Sequence, residues 1–160
     1  MSAYIKLNTP MLDKECLVSA ITDTGFKRKD LTISDTPSKL QGWQAGESAN
    51  IILKREYTGD SYNDIGFKST ERGYIAILSD DHPKYGRNWL SEISSYYEAH
   101  WKAKQDRLDA QERVRIEEER KRLVESQRKT VYERARKMGY RVRETKEGDS
   151  IRMVLLKRTY

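Results

Sequence analysis

The chain has 160 residues, enough for one domain with a real core but hardly for two. Hydrophobic residues make up 36% and charged residues 35%, a balance tilted toward surface, so part of the chain must be solvated on most sides. The lone cysteine, Cys16, excludes an internal disulfide, and the absence of both a basic-then-apolar leader and an apolar run near the roughly 18 residues of a membrane span leads to the expectation of a reducing, cytoplasmic setting with no membrane.

Tyr4-Ile5-Lys6-Leu7-Asn8 alternates as a short strand. After Pro10 the period becomes helical: Leu12, Cys16, Leu17, Ala20, Ile21 and Thr24 fall on one face, Asp13 is placed as N-cap and Gly25 as a left-handed stop. Cys16 on that face reads as a small core hydrophobe. From Phe26 to Ser79 the pattern is strands and turns. Leu31-Thr32-Ile33 precedes an expected break at Asp35-Thr36-Pro37, Leu40-Gln41-Gly42-Trp43-Gln44 follows, and residues 49–55 form the best strand, with a turn at Gly59-Asp60. Ile65-Gly66-Phe67-Lys68 and Tyr74-Ile75-Ala76-Ile77-Leu78 pair across Glu71-Arg72-Gly73 as a hairpin, which favours an antiparallel sheet.

Helix returns after Pro83-Lys84-Tyr85-Gly86, with Trp89, Leu90, Ile93, Tyr96, Tyr97, Ala99 and Trp101 as its apolar stripe. Beyond Trp101 the stripe thins to Leu108, Val114, Ile116, Leu123 and Val124, too irregular for a heptad seam. The charges there favour helix instead. Asp109–Arg113, Glu117–Lys121 and Glu118–Arg122 are acid-to-base pairs four residues apart, each worth about 0.2–0.5 kcal/mol. No Gly or Pro occurs between Arg87 and Met138, which permits one long helix or two meeting at a bend. A helix polar nearly all round either stands in solvent or docks on something charged. The stripe resumes at Val131, Tyr132, Ala135 and Met138 and stops at Gly139. Residues 140–144 and 151–156 then close the chain as a hairpin whose second strand is apolar enough to be central in the sheet.

The predicted architecture is α+β: a mainly antiparallel sheet packed by two or three helices, with a long charged helix or helical hairpin protruding. In domain terms, residues 1–97 hold the sheet and first helices of a single domain, 98–128 an inserted charged arm, and 129–160 the last helix and closing hairpin of the same domain.

Catalytic templates fail one after another: there is no glycine-rich phosphate loop, no paired Cys or His at metal spacing, and no serine in a nucleophile elbow. The expectation is therefore a protein that is not an enzyme and needs no cofactor or metal. Asp80-Asp81-His82 is read as a polar turn rather than a metal site, and Tyr96, Tyr97, His100 and Trp101 as a packing face rather than a base-stacking one. Asp64, Asp80 and His82 are the polar residues to probe first for any chemistry.

Charge is uneven along the chain. From Gln127 onward there are eleven Lys or Arg and four Asp or Glu, while the remainder carries 20 basic and 21 acidic residues. Arg134 and Lys137 on the last helix, with Arg141, Arg143 and Arg152 on the hairpin, are the candidate nucleic-acid contacts of this basic surface. Arg141 and Arg143 share one strand face, opposite Val142. The arm is more nearly balanced, with nine basic and seven acidic residues from 102 to 128, which makes it a poor grip for nucleic acid along its length. Its candidate partner-binding residues are Arg107, Arg113, Arg115, Glu118 and Arg122.

Several blocks carry a resemblance: residues 13–25; Gln41-Gly42-Trp43-Gln44 with Ala49-Asn50-Ile51-Ile52-Leu53-Lys54-Arg55; Tyr62-Asn63-Asp64-Ile65-Gly66-Phe67; Gly73-Tyr74; Glu133-Arg134-Ala135-Arg136-Lys137-Met138-Gly139-Tyr140; and Gly148-Asp149-Ser150-Ile151-Arg152-Met153-Val154-Leu155. Their order resembles the cyanobacterial and plastid family called hypothetical chloroplast reading frame thirty-five, a domain of unknown function. In that family the helix matching residues 89–97 passes rapidly into the one matching 131–139, so the charged stretch here resembles an insertion. The resemblance implies one domain and supplies no activity. Because family members sit beside genes for AAA-type ATPases, it implies an accessory protein whose partner is such an ATPase or another multi-subunit complex. The functional expectation is thus a non-catalytic accessory or adaptor protein binding a larger protein partner, an inhibitor or regulator if phage-borne. The alternative is a DNA- or RNA-binding module using the C-terminal basic surface.

Overall fold

A computed structural model describes residues 3–42, 46–59, 62–80 and 82–157. Trp43, Gln44, Asp60 and Asp81, which figure in the expected turns, lie outside the described residues. The elements in order are β1 (Tyr4–Asn8), α1 (Lys14–Asp23), a 3-10 turn (Arg28–Asp30), β2 (Leu31–Lys39), β3 (Ser48–Leu53), α2 (Arg55–Thr58), β4 (Ile65–Thr70), β5 (Gly73–Ser79), α3 (Arg87–Lys137), β6 (Tyr140–Glu147) and β7 (Ser150–Lys157). The contacts divide the chain into two compact units, Met1–Asp106 and Arg107–Tyr160, and α3 contributes to both.

The first unit is built on an antiparallel sheet in the order β1-β5-β4-β3-β2. The alternation seen in the sequence sets its two faces. Ile33, Ile51, Phe67, Ala76 and Leu7 line up as one row across all five strands. They join the main core, where α1 contributes Leu17, Val18 and Ile21 and the first turns of α3 contribute Trp89, Leu90, Ile93 and Tyr97. Phe67, Ile51, Leu17 and Ile93 are wholly buried, each such burial worth about 1.5–3 kcal/mol. The next row, Thr32, Ile52, Gly66, Ile77 and Lys6, lies on the other face. There Leu40, Ala49, Ile52 and Ile77 make a smaller cluster. Gly66 is required in it, because a Cβ would stand 2.7 Å from the Ala49 Cβ and 2.9 Å from the Leu40 methyls.

Most expected elements are present, with four corrections. Leu12 is exposed rather than on the helix face, because α1 starts at Lys14; Met11 is buried instead. The break at 35–37 is a register shift inside β2, between Ile33 and Ser38, and not its end. Pro37 is tolerated because β2 is an edge strand, and the Asn50 amide spans the irregularity, donating to Asp35 O at 2.9 Å while its oxygen accepts Ser69 N at 2.9 Å. Residues 54 and 55 leave the strand, Arg55 opening the short α2 that Gly59 ends at φ 72°. In α3, Ala99 and Trp101 are exposed, because the buried stripe follows Trp89, Leu90, Ile93 and Tyr97.

In the second unit, α3 continues as one helix to Lys137, which settles the choice between helix and helical hairpin. Gly139, at φ 78°, allows the turn into β6. β7, expected as a central strand of the main sheet, pairs among the described residues only with β6, in a separate two-stranded sheet. Its run of consecutive apolar residues read as a strand buried on both faces, but the Gly148-Asp149 turn closes a local hairpin in full register from Tyr140–Lys157 to Glu147–Ser150. Residues 129–160 fall in the second unit by these contacts.

Candidate functional site

Within the second unit the hairpin settles on one stripe of α3. Val124, Arg128, Val131 and Ala135, spaced four, three and four residues apart, are the positions that lose exposure, and Ala135 is wholly buried. Arg128 anchors the contact. Its Nε and Nη2 donate to the two carboxylate oxygens of Glu144 at 2.8 Å each, and its Nη1 reaches Glu125 at 3.1 Å. Arg128 holds the Glu144 carboxyl below the usual glutamate range, and the Tyr132 hydroxyl adds to the effect.

The stripe does not extend upstream. Every residue from 107 to 123 is exposed on the helix, including Leu108, Val114, Ile116 and Leu123, the last at 59%. Of the three expected four-residue ion pairs, Glu117–Lys121 closes among the described residues, at 3.7 Å, while Arg115 pairs with Glu112 at 2.6 Å. At about 100° per residue, Arg107, Arg115, Glu118 and Arg122 fall within about 80° of arc, and Arg113 lies on the opposite side. Four of the five expected arm contacts therefore share one surface. Ile116 and Leu123, two turns apart, share another, about 130° around the helix from the first.

The basic candidates divide. Directly opposed residues of an antiparallel pair lie on one face, so the register groups Arg141, Arg143 and Arg152 with Val154 and Leu156. The other face of the hairpin carries Val142, Glu144, Met153 and Leu155, and turns to α3 through Glu144. Lys137 sits about 145° around the helix from the packed stripe and Arg134 about 85° from it, so neither joins the three arginines. The unit holds seventeen Lys or Arg against ten Asp or Glu, and thus all of the chain's positive surplus.

In the first unit two of the three polar residues named for chemistry, Asp64 and His82, are committed to the backbone. Asp64 is buried, and its carboxylate oxygens accept Gln41 N at 2.8 Å and Arg55 N at 2.9 Å. His82 Nδ1 accepts Lys84 N at 3.1 Å and Tyr85 N at 3.0 Å, which shapes the turn before α3 and leaves the ring proton on Nε2. A 270 Å³ hollow beside it is lined by Ile5, Asp80, His82, Lys84 and Arg87 among others. Among the described residues no three His, Cys, Asp or Glu side chains converge as a metal site would require. The aromatic group on α3 packs in part, with Tyr96 and Tyr97 on the core and Trp101 exposed. Tyr97 is buried, Trp101 stacks on it at 6.4 Å and 6°, and His100 Nε2 meets Asp23 at 2.6 Å.

The signal that could have revealed the hairpin anchor is the four-three-four spacing of Val124, Arg128, Val131 and Ala135. No helix among the described residues is long and apolar enough to cross a membrane. Comparison with family models, with characterised proteins and with solved structures finds no match.

Proposed function

We propose that the protein is a non-catalytic adaptor that takes hold of a larger protein partner through the exposed stretch of α3. One observation carries this reading: seventeen consecutive helical residues, 107 to 123, are exposed on every side and include four aliphatic side chains. A helix gains most of its stability from packing an apolar face, and surface ion pairs add only tenths of a kcal/mol each. A protein partner with apolar spots and mixed charge, reaching round the helix, suits Ile116 and Leu123 on one side and Arg107, Arg115, Glu118 and Arg122 on another. An AAA-type ATPase, the partner implied by the family resemblance, is the first to try. The test is capture of that ATPase by the full chain and by Ile116→Glu/Leu123→Glu. Loss of capture with an unchanged helical signal is expected; equal capture by the variant rejects the contact.

A second reading has its own observation, the grouping of Arg141, Arg143 and Arg152 on one hairpin face. As a phosphate-binding surface it requires affinity for duplex DNA to fall with salt at a log–log slope of about −3. Val154 and Leu156 stand among the three arginines and have nothing to offer phosphates, which is why the protein partner is preferred.

A further inference from the structure

A sheet of two strands is marginal in water by itself, and the hairpin of β6 and β7 is such a sheet. Gly148 at φ 61°, with no positive φ at Asp149, makes a two-residue turn of type II′. In such a hairpin the closing pair, Glu147 and Ser150, exchanges backbone hydrogen bonds, and every second pair after it does the same. Ser150, Arg152, Val154 and Leu156 therefore turn their N–H and C=O groups toward β6. Ile151, Met153, Leu155 and Lys157 turn theirs to the free edge of β7.

Among the described residues the middle of that edge has none of the usual protections. β6 carries Arg141, Arg143, Glu144, Lys146 and Glu147, the charges that discourage pairing, whereas from Met153 to Leu156 β7 has no charge, no proline and no glycine. Ile151, Val154, Leu155 and Leu156 are 37–46% exposed. Apolar side chains thus stand on both faces of an open strand edge.

We infer that β7 pairs antiparallel with β7 of a second copy of this chain, about a two-fold axis at Met153, to give a four-stranded sheet. The sequence of the strand selects both the occupant and the register. About Met153, Ile151 stands opposite Leu155 of the second copy and Arg152 opposite Val154, and Asp149, in the turn just ahead of the strand, comes to the end where Lys157 of the second copy lies. Each of these pairings occurs twice by symmetry. Shifting the axis to Val154 sets Ile151 against Lys157 and draws that lysine away from Asp149. Moving it to Leu155 sets Met153 against Lys157. Only the Met153 register matches apolar with apolar at the outward positions and opposite charges at both ends. The inference is independent of the α3 contact, since it draws on a different element and is read by mass rather than by capture.

The experiment is sedimentation equilibrium of the full chain, with hydrogen exchange followed over the same concentration range. The expected result is a concentration-dependent mass reaching twice the 18.8 kDa of one chain, with the Met153 and Leu155 amides gaining protection as the dimer forms. Asp149→Lys, which opposes two lysines at each end, should weaken the dimer by about an order of magnitude. Asp149→Lys/Lys157→Asp should restore it. A mass of one chain at every concentration overturns the inference, and so does an extended segment of another protein occupying the same edge of a monomer. A dimer in which the Met153 and Leu155 amides exchange freely, or one not restored by the charge swap, overturns it as well.

Discussion

The Tyr97 hydroxyl accepts the backbone N–H of Asp13 at 2.9 Å and of Leu12 at 3.0 Å, so a side chain of α3 fixes the entry to α1 from 84 residues away. Two donors just ahead of a helix are satisfied by one buried phenol. Tyr97→Phe keeps the ring in the core and orphans both N–H groups, so the expected loss is about 1–3 kcal/mol in urea unfolding. An unchanged midpoint would mean that water takes over both bonds.

Asp13 itself caps α1. One carboxylate oxygen accepts Cys16 N at 2.9 Å and the other meets the Lys104 ammonium. Burial works against its ionisation, but Lys104 and the Cys16 N–H outweigh burial and hold the carboxyl below the ordinary aspartate range. A carboxyl with a lower value folded than unfolded contributes stability that is present above the unfolded value, about 3.9, and is lost as the pH falls through the folded one. Unfolding free energy should therefore fall on acidification below about pH 5, and less steeply in Asp13→Asn, which keeps an acceptor for Cys16. Asp13→Ala should cost about 1 kcal/mol at pH 7 from the cap.

Asp64 is expected to be a structural residue. It serves Gln41 N and Arg55 N, tying together two segments that flank the sheet. Asp64→Ala removes the acceptor of two partly buried N–H groups and should cost about 1–3 kcal/mol, read as a drop in melting temperature. Asp64→Asn, with one acceptor oxygen left, should fall between. A variant with unaltered stability would reopen a chemical role for this carboxylate.

Arg128 and Glu144 form the two-point contact that seats the hairpin on α3. Lysine cannot make both bonds from one planar group, so Arg128→Lys should speed hydrogen exchange in β6 and β7 while leaving β4 and β5 unaffected. Equal protection in the variant would place the hairpin's hold in Val131 and Ala135 alone.

Much of the first unit was legible because its signals are local and periodic. Asp13 and Gly25 bracket α1, and the alternation in residues 65–78 yields the hairpin, whose turn is one residue tighter than expected because Gly73 pairs with Thr70. The placement of Asn50 across the β2 irregularity was not legible, since a polar residue inside the best strand gives no sign of which distant carbonyls it will serve. Residues 151–156 misled for the opposite reason. A continuous apolar run has no period, and burial in a central strand and exposure on an open hairpin edge look alike in one dimension. At the candidate site, the exposed helix was foreseen from its charge pattern. The segregation of Arg141, Arg143 and Arg152 from Lys137 needed the hairpin's orientation on α3, which the unrecognised Arg128–Glu144 contact sets.

The adaptor reading is tested most directly by photo-crosslinking in cells, with a photoreactive residue placed at Leu123 and, in parallel, at Ile116. The reading predicts one dominant protein adduct from both positions, heavier than a pair of these chains, and its loss when Arg115 and Arg122 are replaced by Glu. Adducts to nucleic acid, or none from either position while the chain remains folded, would contradict it.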